Sequence, residues 1–446
     1  LLCSKLHELY DLASKWNDSN DVSENNKLVL DYLRYEKYSG GDTYDPNIKK
    51  IPLTYKRVSL RINLREMTVI PFCMIFCQVI SMSMALPDIG AQTLSYVNFA
   101  CFMASFIFML ALYLHAAQMT RFGLLHFLLM LTLIFSTVIN NINVKTAIYQ
   151  SFYVWQTLII FNYYKIHTEK IIKFFAISLS FCVYANLAHL ITHPTLWMVE
   201  TGKEGAGYLL GNNYNQMGCR LIIALGTNIL CIKYNKIWRF NYIATTICAI
   251  VSLFMVGSMT SLSMIILFTL YTLIPFAKLK KNILITTFII FILFQFFVVF
   301  NGRGLENNDL ARYLVEDVLH KDLTFTHRTY LWDAALKIIP KSPIWGYGLV
   351  EGEWYKAHMS SIAMGPHNFI LAVLLNGGII LLIFYSIICG YSINSIRPYF
   401  KDTEVKNLIF STICLWIMAL MEMFPYTIML YPLALIYNYQ NIKTKQ

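Results

Sequence analysis

Arg328 and His367 are the residues of this 446-residue chain best placed to do chemistry together. An arginine fork offers paired donors to phosphate oxygens and stabilises charge developing on a phosphorylated leaving group. A histidine titrates near neutrality and can take the proton of an attacking hydroxyl. Both lie in one hydrophilic stretch. It runs Thr326-His327-Arg328-Thr329-Tyr330-Leu331-Trp332, then Pro343-Ile344-Trp345-Gly346-Tyr347-Gly348, then Pro366-His367-Asn368-Phe369, and closes on Asn376-Gly377-Gly378. Each residue also has a plainer reading. Arg328 equally fits a side chain reaching towards lipid headgroups, and His367 an interfacial histidine without a role. The neighbouring His327 reads as solvated or structural.

What must position these residues is set by composition. The chain is 57% hydrophobic and 14% charged, with mean hydropathy +0.51, far more apolar than a soluble domain needs. It reads as an all-α integral membrane protein. The net charge of +11 does not point to nucleic acid, because the Lys and Arg residues sit in short clusters between apolar runs. Its 10 cysteines fall almost entirely within apolar runs, without the spacing of a metal site, so neither a metal nor a cofactor is expected.

A spanning helix needs about 20 mostly apolar residues, and that length marks about 12 spans. Expected starts are near Met67, Leu94, Phe122, Thr146, Ile171, Tyr214, Phe240, Met259, Asn282, His367, Lys406 and Tyr426. Alternate short connections are basic, as with Lys165, Lys170 and Lys173, or Lys278, Lys280 and Lys281. This asymmetry places both termini in the cytoplasm and the connections 192–213 and 301–366 outside. Residues 1–66 are then a cytoplasmic N-terminal segment, opening at Leu1 as a fragment or processed form would, with no cleavable signal expected. Residues 67–300 carry spans 1–9, 301–366 form the large outer loop, 367–440 carry spans 10–12, and 441–446 are a cytoplasmic tail.

Within the outer loop, Thr326 is expected to cap a helix from about Arg328 to Ile339, which Pro340 ends. The glycines of Pro343–Gly348 predict a sharp turn. His367 follows a proline and opens the next span, at the outer membrane surface.

An Arg-x-x-x-Trp helix, a Pro-x-x-Gly-x-Gly turn and a His-Asn pair at the mouth of a span resemble the O-antigen ligase and Wzy-type polymerase family. The segment Gly211-Asn212-Asn213-Tyr214-Asn215 is similar to another of its recurring stretches. The resemblance implies a GT-C-like membrane glycosyltransferase of the inner (cytoplasmic) membrane. Such an enzyme takes a glycan from undecaprenyl pyrophosphate on the outer face and passes it to an acceptor hydroxyl, without a metal. It also implies catalytic roles for Arg328 and His367. Two departures are visible: Gly378 is followed at the ligase glycine position by Leu381, and Ser258-Met259-Thr260-Ser261 lacks the arginine often found there. Both count against ligase more than against the wider family.

On that reading the expected activity is polymerisation of lipid-linked repeat units into O-antigen, capsular or exopolysaccharide. Ligation of the glycan to lipid A core is the alternative within the family, and a glycan-lipid flippase the alternative of another class. Partners would be the undecaprenyl-pyrophosphate-linked glycan and membrane lipid, with a chain-length regulator and a flippase nearby. Tyr330, Trp332 and Tyr347, with Trp345 and Trp354, are candidates to stack on sugars, although aromatic belts favour the same residues. Asn368 would orient the ring, bind sugar or cap the helix. Arg220 and Glu422 are intramembrane charges, which usually face a cavity or a partner. Arg220 would supply a second phosphate contact; Glu422 would pair with it or bind a sugar hydroxyl; a structural ion pair is the plainer reading of both. Asn212 and Asn215, with Asn213, would line the same cavity or cap the span.

Overall fold

The computed structural model describes residues 120–163, 168–192, 214–307, 327–361 and 363–443, with isolated positions between 100 and 110 and at 313. Residues 1–66, the span expected near Met67, nearly all of that near Leu94, Asn212, Asn213 and Thr326 lie outside these. Among the described residues every regular element is helical: α1 (Arg121–Ile139), α2 (Val144–Tyr163), α3 (Thr168–Thr192), α4 (Tyr214–Asn228), α5 (Lys236–Val256), α6 (Met259–Leu273), α7 (Ala277–Phe294), α8 (Arg328–Ile338), α9 (Gly352–His358), α10 (Phe369–Ile396), α11 (Thr403–Met418), α12 (Tyr426–Asn438) and α13 (Gln440–Lys443). Every expected span start from Phe122 onward has a helix beginning within five residues of it, the widest gap being Ala277 against Asn282.

Among the described residues five segments are long and apolar enough to cross a membrane: α1, α3, α5, α7 with its π-helical extension to Val299, and α10 with its extension to Tyr399. The chain is therefore a multi-pass membrane protein. The remaining bundle helices are shorter or more polar, and α4 shows why. Residues 217–231 are buried without interruption, so protein rather than lipid surrounds Arg220, Thr227 and Asn228. Gly218 and Gly226 let neighbours come close: a Cβ on Gly226 would strike the Ser411 side chain of α11, and one on Gly218 that of Ser261 on α6. By contrast α7 has mean hydropathy 2.5 with only 17% of its apolar window buried, the profile of a lipid-facing helix.

Polar side chains fasten α3, α4 and α5 together. Asn228 Nδ2 donates to Ser180 Oγ at 2.9 Å, and Asn241 Nδ2 donates to Asn228 Oδ1 at 2.7 Å and to Ser180 Oγ at 2.9 Å. Thr245 and Tyr184 complete the network. A second, smaller core lies outside this bundle, where Trp332, Ala335 and Ile338 of α8 pack with Val299, Tyr355, Leu371 and Leu375. That core seats the loop on the first turns of α10.

Candidate functional site

The site is built on a break in α10. Gly377 (φ −142°, ψ 15°) and Gly378 (φ 61°, ψ −157°) leave the helical conformation. The bend is sharp: the rings of Phe369 and Tyr385 lie 5.3 Å apart, whereas a straight helix would separate those positions by about 24 Å. The break frees the carbonyls of Leu375 and Asn376, which accept the N–H groups of Tyr347 (2.6 Å) and Gly348 (2.9 Å), while the Ile379 N–H donates to Pro343 O at 2.8 Å. From α1, Ser136 Oγ bonds Asn376 O at 2.8 Å and also meets Trp345 O. Asn140 Nδ2 donates to Gly346 O at 3.2 Å, and Thr137 Oγ1 accepts from the Leu349 N–H at 2.9 Å. The Pro343–Gly348 turn is thus a plug seated in the break. Its glycines are required twice over, by positive φ (66° at Gly346, 83° at Gly348) and by contact, since a Cβ on Gly348 would lie 2.5 Å from Thr137 Cα.

His367 sits at the mouth of the bent helix with φ 45°, in the left-handed region that residues with a Cβ rarely occupy. The residues after it hold it there. Phe369 N–H donates to Ala419 O at 2.9 Å. Asn368 Oδ1 accepts from the Leu371 N–H at 2.9 Å, and its Nδ2 donates to Gln295 Oε1 at 2.9 Å and Leu420 O at 3.2 Å. Asn368 is fully buried and is the helix cap. Of its alternative readings, capping is the one its geometry matches. The expected cap of α8 differs: His327 occupies the N-cap position, at φ 66° and without a side-chain cap bond.

His367 Nδ1 lies 3.1 Å from Glu422 Oε1, in the connection between α11 and α12. The same oxygen accepts from the Met423 N–H at 3.1 Å, and Oε2 accepts from Asn215 Nδ2 at 3.0 Å. Burial by itself would raise the Glu422 carboxyl. The His367 hydrogen bond and charge, with the Met423 and Asn215 donors, outweigh burial and hold it below its ordinary value. The expected pairing of Glu422 with Arg220 is therefore replaced by pairing with His367, because both carboxylate oxygens are occupied by other donors. Arg220, one turn further along α4 from Asn215, is buried; Nη1 donates to Gln216 O at 3.0 Å, and Nε has no hydrogen-bond partner among the described residues. It is a cation enclosed in the bundle with unused donor capacity. Arg328 opens α8, partly buried, on the helix that packs against the first turns of α10.

The aromatic candidates divide. Trp332 is corrected: its ring is enclosed at 0% exposure in the loop core, so no face is open to a sugar. Tyr330 is exposed, with the Arg303 guanidinium 4.7 Å from its ring centre. Tyr347 donates its hydroxyl to Ile338 O at 3.0 Å and packs on Trp354, which in turn stacks on His358 with centroids 4.3 Å apart. Sequence reasoning missed Ser136, Thr137 and Asn140, which fasten the plug, and Gln295, which fastens the cap. Their signal was a set of polar residues at the ends of otherwise apolar helices.

No curated protein and no solved structure matches the chain. A family model described as O-antigen ligase matches residues 221–386, which include Arg328, the plug, His367 and the break in α10. Over those residues the chain is similar to the O-antigen ligase family.

Proposed function

We propose that the protein polymerises oligosaccharide repeat units carried on undecaprenyl pyrophosphate. The acceptor is a hydroxyl at the non-reducing end of a second lipid-linked unit. The observation that carries the reading is the setting of His367: Nδ1 is tied to a carboxylate, and the partly exposed ring leaves Nε2 to face an incoming hydroxyl. In the step, the hydroxyl oxygen bonds to the anomeric carbon of the donor glycan while its proton passes to Nε2. The bond from that carbon to the pyrophosphate oxygen breaks, and undecaprenyl pyrophosphate leaves with the electron pair. Arg328 and the buried Arg220 stabilise the charge that develops. Attack opposite the leaving group inverts the anomeric centre. Polymerisation is preferred to ligation because of the two departures at Leu381 and at Ser258–Ser261.

The test is an in vitro reaction of the purified protein with its lipid-linked repeat unit and no lipid A core, wild type beside His367→Ala and Arg328→Ala. A ladder of products from wild type, lost in both variants, supports the reading. Product formed only once lipid A core is added would make the protein a ligase. Transbilayer movement of the lipid without any glycan transfer would make it a flippase.

A further inference from the structure

Glu422 is placed to hold protein donors rather than the sugar that an intramembrane carboxylate invites. It is 6% exposed, and both of its oxygens already accept from protein donors: His367 and the Met423 N–H on Oε1, Asn215 on Oε2. Asn215 is fixed in turn, since its Oδ1 accepts from Ser258 Oγ at 3.3 Å and Ser258 is 1% exposed. Four chain segments meet in this line: the mouth of α10, the connection between α11 and α12, the first turn of α4, and the junction of α5 with α6. Asn215 and Glu422 both lie outside the residues matched by the family model.

We propose that Glu422 and Asn215 are positioning residues for His367, the carboxylate fixing the ring through Nδ1 and the amide fixing the carboxylate. The assignment rests on the functional reading above. Its chemistry is that of an oriented imidazole. A carboxylate accepting Nδ1–H selects the tautomer whose Nε2 lone pair can take a proton, and it stabilises the imidazolium that results. The Asn215 amide donates to Oε2 and so turns Oε1 towards the ring. Ser258 in turn fixes which way that amide faces. From α4 Cys219 lies within electrostatic reach of Glu422, and from its own connection the carboxylate accepts from the Met423 amide. The left-handed backbone at His367 adds to the argument, because it persists only where surrounding contacts determine it.

The experiment measures turnover of the lipid-linked repeat unit by the full chain between about pH 5 and 9, for wild type, Glu422→Gln, Glu422→Asp and Asn215→Ala. In parallel it follows the rate of acylation of His367 by diethyl pyrocarbonate at about pH 8, read by mass spectrometry, which reports the reactivity of the ring nitrogen without needing turnover. Expected is a kcat loss of about 10²–10³-fold in Glu422→Gln with KM within about threefold, and about tenfold in Asn215→Ala. Glu422→Asp should recover part of the loss. His367 labelling should slow about threefold or more in Glu422→Gln, since the ring loses the acceptor that holds Nδ1–H and makes Nε2 the reactive nitrogen. A raised KM with unchanged kcat would make Glu422 a substrate ligand and overturn the proposal. Equal labelling rates in wild type and Glu422→Gln would overturn it whatever the activity. If His367→Ala still forms product while labelling slows in Glu422→Gln, the pairing is real but the catalytic reading of His367 fails, and the positioning role with it.

Discussion

Replacing Gly378 by alanine tests whether the plug and the break in α10 are one unit. At φ 61° and ψ −157° the backbone lies in a region that is essentially glycine's alone, and forcing another residue into it costs about 1–3 kcal/mol. The added Cβ would also collide with the Ile344 carbonyl and lie 2.7 Å from Pro343 O. Those are backbone atoms and cannot rotate away. Relief requires the plug to withdraw, which breaks the Ile379, Tyr347 and Gly348 hydrogen bonds, each worth about 1 kcal/mol net and more if a buried partner stays unpaired. The expected loss is about 4 kcal/mol or more. Two other glycines isolate the components. Gly257 has φ 71° but open space around it, so Gly257→Ala meets backbone strain alone, about 1 kcal/mol. Gly390 lies in a helix with nothing near its Cβ position, so Gly390→Ala should be neutral or stabilising by up to about 1 kcal/mol. Thermal unfolding of the three purified variants should therefore rank Gly390→Ala at or above wild type, then Gly257→Ala, then Gly378→Ala far below. Gly378→Ala melting beside Gly257→Ala would show that the plug contributes nothing to the bend, and the reasoning would fail.

Asn368→Ala should destabilise by about 3 kcal/mol, through loss of the cap and of partners for Gln295 Oε1 and Leu420 O. The KM of the folded fraction for the lipid-linked unit should not change; a raised KM at unchanged melting temperature would restore Asn368 as a sugar ligand. The lowered Glu422 carboxyl sets a pH dependence with a definite sign. Its folded value lies below its unfolded one, so the stability it contributes is complete above the ordinary carboxylate range and is lost as pH falls through the lowered folded value. Melting curves of wild type and Glu422→Gln should differ by a constant amount near neutrality and converge in acid; a gap that widens as pH falls would contradict the assignment.

The helices were legible because lipid and protein both reward long apolar runs. Tyr214, Met259 and Tyr426 begin helices where the sequence places span starts. Length was a poorer guide for α4, whose polar face is satisfied by neighbouring helices. The glycines of the plug and of Gly377–Gly378 could be read as places of unusual backbone, but that the two fit each other could not. The contact joins residues far apart in sequence and runs through carbonyls that any sequence would carry. Glu422 was visible as a costly charge, yet its partner was not: Arg220 is the nearer expectation by charge alone, and only three-dimensional placement gives the carboxylate to His367. Trp332 failed as a sugar platform for a similar reason, because a tryptophan's apolar body serves a loop core as well as it serves a ligand.

The plug has a consequence for biosynthesis. Its backbone partners lie on Ser136, Thr137 and Asn140, made long before it, and on Leu375, Asn376 and Ile379, made just after it. A nascent chain that has completed the loop but not yet inserted α10 therefore exposes the N–H groups of Tyr347 and Gly348 without their acceptors. The loop completes its fold only when the following span bends beneath it. Translation arrested ahead of Leu375 should leave a loop open to protease, and a few further residues of chain should close it.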